Sequence, residues 1–151
     1  MPSDRSKRAR ELGVAADART DARERSMLLL YEAHSKQLPV REVVDAQVVR
    51  PDELTRTLAI GVEAHREQID EALAAHAKGW TLARMPLIDL TVMRIAGYEL
   101  LCRPEVPVAV VLDEAVELAK RFSTDDSGRF VNGVLAAVVP VLRGAAPRVD
   151  A

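Results

Sequence analysis

The side chains that could bind a metal, move a proton or read a nucleic acid fall into three groups. The first is the histidines, His34, His65 and His76. On a helix, the spacing of His65 and His76 puts them on one face but ~16 Å apart along the axis. Zinc ligands lie about 2 Å from their metal, so these two cannot share one ion. His34 has no acidic or thiol partner at ligand spacing, and all three read as histidines at the edge of a core. The second group is Asp113, Glu114 and Glu117. Asp113 and Glu117 are one helical turn apart, as two ligands on one helix would be. The Glu-x-x-His of a second helix is missing, which leaves a solvated acidic face. No Gly-rich phosphate loop, nucleophile elbow or zinc spacing occurs. The sequence thus offers no catalytic residue, metal site or cofactor site.

The third group is STDDSGRFVNGVL, Ser123 to Leu135. Ser123, Thr124, Asp125 and Asp126 are all helix N-cap types, because their oxygens accept the orphan N–H groups of a first turn. A capped helix start accounts for the acids but leaves Phe130 open to two readings. At helical spacing an aromatic belongs to the core. At the rim beside Arg129 it could stack a base.

These residues need elements to hold them. The chain has 151 residues, 48% hydrophobic and 29% charged, enough for a buried core of about one domain. Aromatics are only 3%, so that core is aliphatic. The net charge of −2 announces no general affinity for nucleic acid. The one basic patch is at the start, where Arg5, Lys7, Arg8 and Arg10 face Asp4 alone. Cys102 is the single cysteine, which suits a reducing compartment. No secretory signal or membrane-spanning run is present, so a cytoplasmic location is expected.

Residues 1–20 are charged and alanine-rich and read as a mobile basic arm. Met27, Leu30, Tyr31 and His34 then recur at helical spacing, which predicts a helix over Asp21 to Lys36. A short helix is expected over Val40 to Val48. From Pro51 a long stripe runs through Leu54, Leu58, Val62, His65, Ile69, Leu73 and His76, with a bend expected near Gly61 or His65 and an end at Gly79. Trp80 to Pro86 is a linker. Leu87 to Leu101 is apolar nearly all round, the mark of a central helix. Val106 to Leu112 has strand propensity, but its stripe continues to Phe122 and argues for helix, with Glu117 and Arg121 paired on the wet side. A last helix carries Phe130 to Leu142, and Pro140 should kink it. The reading is all-α: residues 21–79 and 80–144 form two helical subdomains, and 145–151 a tail.

Val106 to Leu135, VPVAVVLDEAVELAKRFSTDDSGRFVNGVL, closely resembles the signature of the NusB family of transcription antitermination factors. GWTLARMPLID, VMRIAGYELL and ARERSMLLLYEA fit the same family in order and spacing, so that the resemblance covers about Arg19 to Leu142. It implies two roughly perpendicular helical bundles. It also implies binding of the boxA RNA of ribosomal RNA leaders together with NusE, the small-subunit ribosomal protein, and through that complex contact with RNA polymerase and other Nus factors. The resemblance places Arg19, Arg23, Asp126, Ser127 and Phe130 at the RNA, and Tyr31, Asp89 and Arg94 at or near the NusE surface, Arg94 serving equally as a structural ion pair. Thr20 and Asp21 dilute the family's basic first turn, for which Lys7, Arg8 and Arg10 could compensate. The alternative is a protein–protein adaptor or homodimer on the same scaffold, with RNA binding weak or lost.

Overall fold

The structure, a computed structural model, describes residues 4–150, with backbone alone at residue 9 and residues 11–16. The helices are α1 (Asp4–Lys36), α2 (Val40–Asp45), α3 (Glu53–Ala64), α4 (Arg66–His76), α5 (Leu87–Cys102), α6 (Val108–Phe122) and α7 (Asp125–Leu142), with a 3-10 turn at Leu82–Arg84. Among the described residues there is no strand, so the all-α expectation holds and Val108 to Leu112 opens a helix. None of these helices is long and apolar enough to cross a membrane.

The first helix departs from expectation. It starts at Asp4 and runs unbroken through the stretch read as an arm. Alanine and arginine dominate that stretch and propagate a helix once a packed segment has nucleated it. The nucleating segment is Ala22 to Ala33, where Ala22, Met27, Leu29, Leu30 and Ala33 are buried. α2 is shorter than expected and leaves Val48 and Val49 exposed.

The long stripe divides at His65, one of the two positions expected. Asp52 caps α3 by accepting from the Thr55 N–H at 2.8 Å. Gly61, in α3, is required by close approach: a Cβ there would lie 2.3 Å from the Tyr98 ring. Gly79 has φ +77°, the left-handed turn that glycine adopts without cost, and opens the linker to α5. α7 continues as helix through Pro140, which has no N–H to give to the preceding turn.

α5 is the centre, with every residue from Asp89 to Leu101 buried. One cluster of buried side chains runs from Met27 on α1 to Leu142 on α7, so the two halves of the chain share a core. Four polar side chains, Asp89, Thr91, Arg94 and Glu99, are buried on α5. Burying a charge is costly unless it is paired. Each of the three ionisable ones finds its partner on a different helix. Glu99 meets Arg23 of α1, with contacts of 2.7 and 3.0 Å. Arg94 meets Asp70 of α4, at 2.8 and 2.9 Å. Asp89 accepts from the Ser127 hydroxyl of α7 at 2.9 Å.

Candidate nucleic-acid interface

Local chemistry fixes the mouth of α7. Thr124 is its N-cap, in extended backbone, and its Oγ1 accepts from the Ser127 N–H at 3.2 Å. Ser127 answers through its own Oγ, 3.4 Å from the Thr124 N–H, which completes a capping box. The same Oγ donates to Asp89 Oδ2, so the cap is tied to the first turn of α5. Ser127 and Asp89 are buried, whereas Asp125 and Asp126 stand exposed in the first turn of α7.

Phe130 sits one turn further on and is only partly buried. Its ring meets Trp80 of the linker, with centroids 5.8 Å apart and planes tilted by 59°. Trp80 is 50% exposed. Between them lies a notch of about 190 Å³, lined by Trp80, Pro86, Asp89, Thr124, Asp126, Ser127 and Phe130. Asp89 lines it, and its Oδ1, itself buried, has no hydrogen-bond partner among the described residues. Nothing in the order of residues joins Trp80 to this mouth. Its being the sole tryptophan, placed on a linker, was the available signal.

α1 is fastened beside this mouth. Thr20 Oγ1 donates to Glu114 of α6 at 2.9 Å. Arg121, near the end of α6, reaches Glu24 at 3.4 Å rather than pairing with Glu117 as expected, and its guanidinium lies 5.1 Å from the Phe122 ring centroid. Arg19 is exposed next to that clamp, and Lys7, Arg8 and Arg10 are exposed further up the same helix.

Arg23, expected at the RNA, is buried instead. Its side chain forks onto both oxygens of Glu99. Burial alone would lower its pKa, but the hydrogen bond and charge of Glu99, with Glu114 beyond, raise it above the ordinary arginine value. The reason is local: Glu99 stands in an otherwise apolar stretch of the central helix, and such a carboxylate demands a cation. Asp89, expected at a protein surface, is buried at the α7 mouth. Arg94 is the structural ion pair, joined to Asp70, which Arg66 also approaches at 3.6 Å.

Of the expected partner residues, Tyr31 alone is on the surface, 41% exposed, with Leu28 one turn before it at 48%. A second concavity of about 280 Å³ opens nearby, lined by Leu30, His34, Leu38, Glu63, Thr91 and Arg94 among others. Among the described residues no group of histidine, cysteine, aspartate or glutamate could hold a metal ion. The His65 ring lies 2.6 Å from the Arg148 carbonyl, and the His76 ring 2.9 Å from that of Ala72.

Comparison with known proteins gives this geometry a context. A "Transcription antitermination protein NusB" of Saccharopolyspora erythraea is 49% identical over 143 residues, which cover 86% of this chain and 97% of that one. Another of that name, from Thermobifida fusca, is 45% identical over 126 residues, 81% of this chain and 89% of its own. Among solved structures, NusB of T. maritima superposes with a TM-score of 0.74 at 27% identity, covering 85% of this chain and 93% of that one. A chain in a complex of the antitermination factors NusB and NusE with double-stranded RNA has the same fold, with a TM-score of 0.71 at 23% identity over 83% of this chain and 98% of its own. Residues 20–140 match the NusB family, and this chain belongs to that family.

Proposed function

We propose that this chain is a cytoplasmic transcription antitermination factor that binds the boxA RNA of ribosomal RNA leaders together with NusE, the small-subunit ribosomal protein. The observation that carries the reading is the partly buried Phe130 ring at the α7 mouth, packed on the half-exposed Trp80, with α1, which bears Arg19, clamped through Glu24 to the end of α6 that leads into that mouth. Proteins that hold single strands combine these elements: aromatic faces for bases and cations for phosphates. Arg19, Lys7, Arg8 and Arg10 supply the phosphate contacts. Asp126, exposed at the notch, restrains binding by repelling phosphate, and Ser127 holds the cap in shape. Arg23 takes no part in contact and positions α1 against α5.

The exposed strip of Leu28 and Tyr31 supports a protein partner on the far side of the clamp. NusE is that partner in this reading, and RNA polymerase and other Nus factors are reached through the assembled complex. The same strip favours a second reading, an adaptor or homodimer that works mainly through protein contacts.

The deciding experiment is binding of a short boxA RNA and a scrambled control at two salt concentrations, with and without purified NusE. Sequence-specific, salt-sensitive binding that NusE strengthens is the expected result. A tight complex with NusE and no specific RNA binding would replace the first reading with the second.

A further inference from the structure

The notch at the α7 mouth has a chemistry that phosphate contact does not use. Its polar lining is rich in acceptors and negative: two carboxylates, Asp89 and Asp126, and two hydroxyls, Thr124 and Ser127. A phosphate would be repelled there. The remaining lining is apolar or aromatic, Trp80, Pro86 and Phe130. A flat heterocycle with hydrogen-bond donors on its edge suits both halves.

The orphan acceptor sharpens this. Asp89 is 2% exposed, and its Oδ2 is engaged by Ser127 while its Oδ1 has no partner. A buried acceptor without a partner forgoes a hydrogen bond that a ligand can restore, and one made to a charged oxygen is the stronger kind. We infer that Trp80, Phe130 and Asp89 form a pocket for a single unpaired base and select guanine, the two rings packing the base and Asp89 accepting from its Watson–Crick edge. Guanine presents N1–H and the N2 amino group side by side, two donors that can converge on Oδ1, the one oxygen Ser127 leaves free, once Trp80 swings aside to uncover it. Uracil presents one imino donor flanked by two carbonyl oxygens, which a carboxylate repels. Adenine and cytosine present an amino group beside an acceptor nitrogen and fall between.

The rings are tilted and touching, so the base lies in the open angle between them, flat on one and against the edge of the other. Trp80 is the wall that moves, because it stands half-exposed on the linker that Gly79 opens. The pocket rests on the reading of the mouth as an RNA site and adds to it a second aromatic wall and a base preference.

Trp80 is the only tryptophan in the chain, so its emission reports on this pocket alone. The full chain is titrated with short single-stranded RNAs that differ at one position, carrying G, A, C, U or inosine, while RNA anisotropy and Trp80 emission are followed together. Guanosine monophosphate and uridine monophosphate serve as free probes. The guanine RNA should bind about tenfold more tightly than the uracil RNA and quench Trp80, with inosine weaker for want of the amino group. Trp80→Ala should weaken binding about tenfold, Trp80→Phe should restore most of it, and Asp89→Asn should erase the preference for guanine. Circular dichroism identifies an Asp89 variant that fails to fold, in which case the Trp80 pair and the free nucleotides still decide. RNA binding with Trp80 emission unchanged, and with Trp80→Ala as tight as the parent, would overturn the pocket and leave the RNA reading standing. Absence of RNA binding together with selective quenching by guanosine monophosphate would overturn the RNA reading and support the pocket.

Discussion

Arg23→Ala separates a structural arginine from an RNA-contacting one. The substitution leaves Glu99, 1% exposed, as a carboxylate inside the core. Removing one partner of a buried pair costs about 3–5 kcal/mol, because the remaining charge is uncompensated. Arg103 approaches Glu99 at 3.5 Å and takes up part of that charge, which puts the expected loss near 3 kcal/mol, the low end of that range. Against a typical stability of about 5–15 kcal/mol this is a large share, readable in urea denaturation as a lowered midpoint at unchanged slope. The double variant Arg23→Met with Glu99→Leu removes both charges and should recover most of the loss. Folded Arg23→Ala should retain the salt dependence of RNA binding. A loss below about 1 kcal/mol, accompanied by a salt slope shallower by one contact, would refute the reasoning and return Arg23 to the RNA.

Gly61→Ala should destabilise the fold by about 1–3 kcal/mol in the same denaturation assay, since the new methyl meets the ring of the buried Tyr98, whose centroid is also 5.9 Å from that of the His65 ring. Arg19→Ala should leave the thermal midpoint unchanged and flatten the slope of log affinity against log salt by roughly 0.7, the share of one single-strand phosphate contact. Acid should loosen the start of α3. The Thr55 hydroxyl and backbone N–H hold the Asp52 carboxyl below its ordinary value, so its cap contributes fully above that value and is lost as pH falls through the lowered one. Protection of the Thr55 amide, taken relative to its intrinsic exchange rate at each pH, should fall there, and Asp52→Ala should show the same low protection at every pH, with a stability about 1 kcal/mol lower.

Periodicity carried most of the fold. The stripes of Val108–Phe122 and Phe130–Leu142, the continuous apolar run after Pro86 and the division at His65 were all legible, because each follows from which faces must leave water. The extent of α1 was not, since residues 4–20 carry no apolar stripe and become helical by extension from a packed segment. The site was legible where it is local. Ser123, Thr124, Asp125 and Asp126 announce a cap from their types alone. It was illegible where it depends on distance through the fold. Glu99 demanded a cation, but no spacing says that the cation is Arg23, 76 positions away. Trp80 meets Phe130 only because α5 brings the linker to the α7 mouth.

The unbroken run of α1 gives the molecule a ruler. Arg19 and Tyr31, one on each proposed surface, are separated along a single rod by ~18 Å of helical rise, with no joint between them. A strand and a protein bound at these points are therefore held in fixed phase as well as at fixed distance. Inserting one residue before Thr20, ahead of its hydrogen bond to Glu114, would turn Lys7, Arg8 and Arg10 by ~100° about the axis while leaving the core untouched. In the proposed complex the register of this helix, as much as its charge, would set the path of the bound strand.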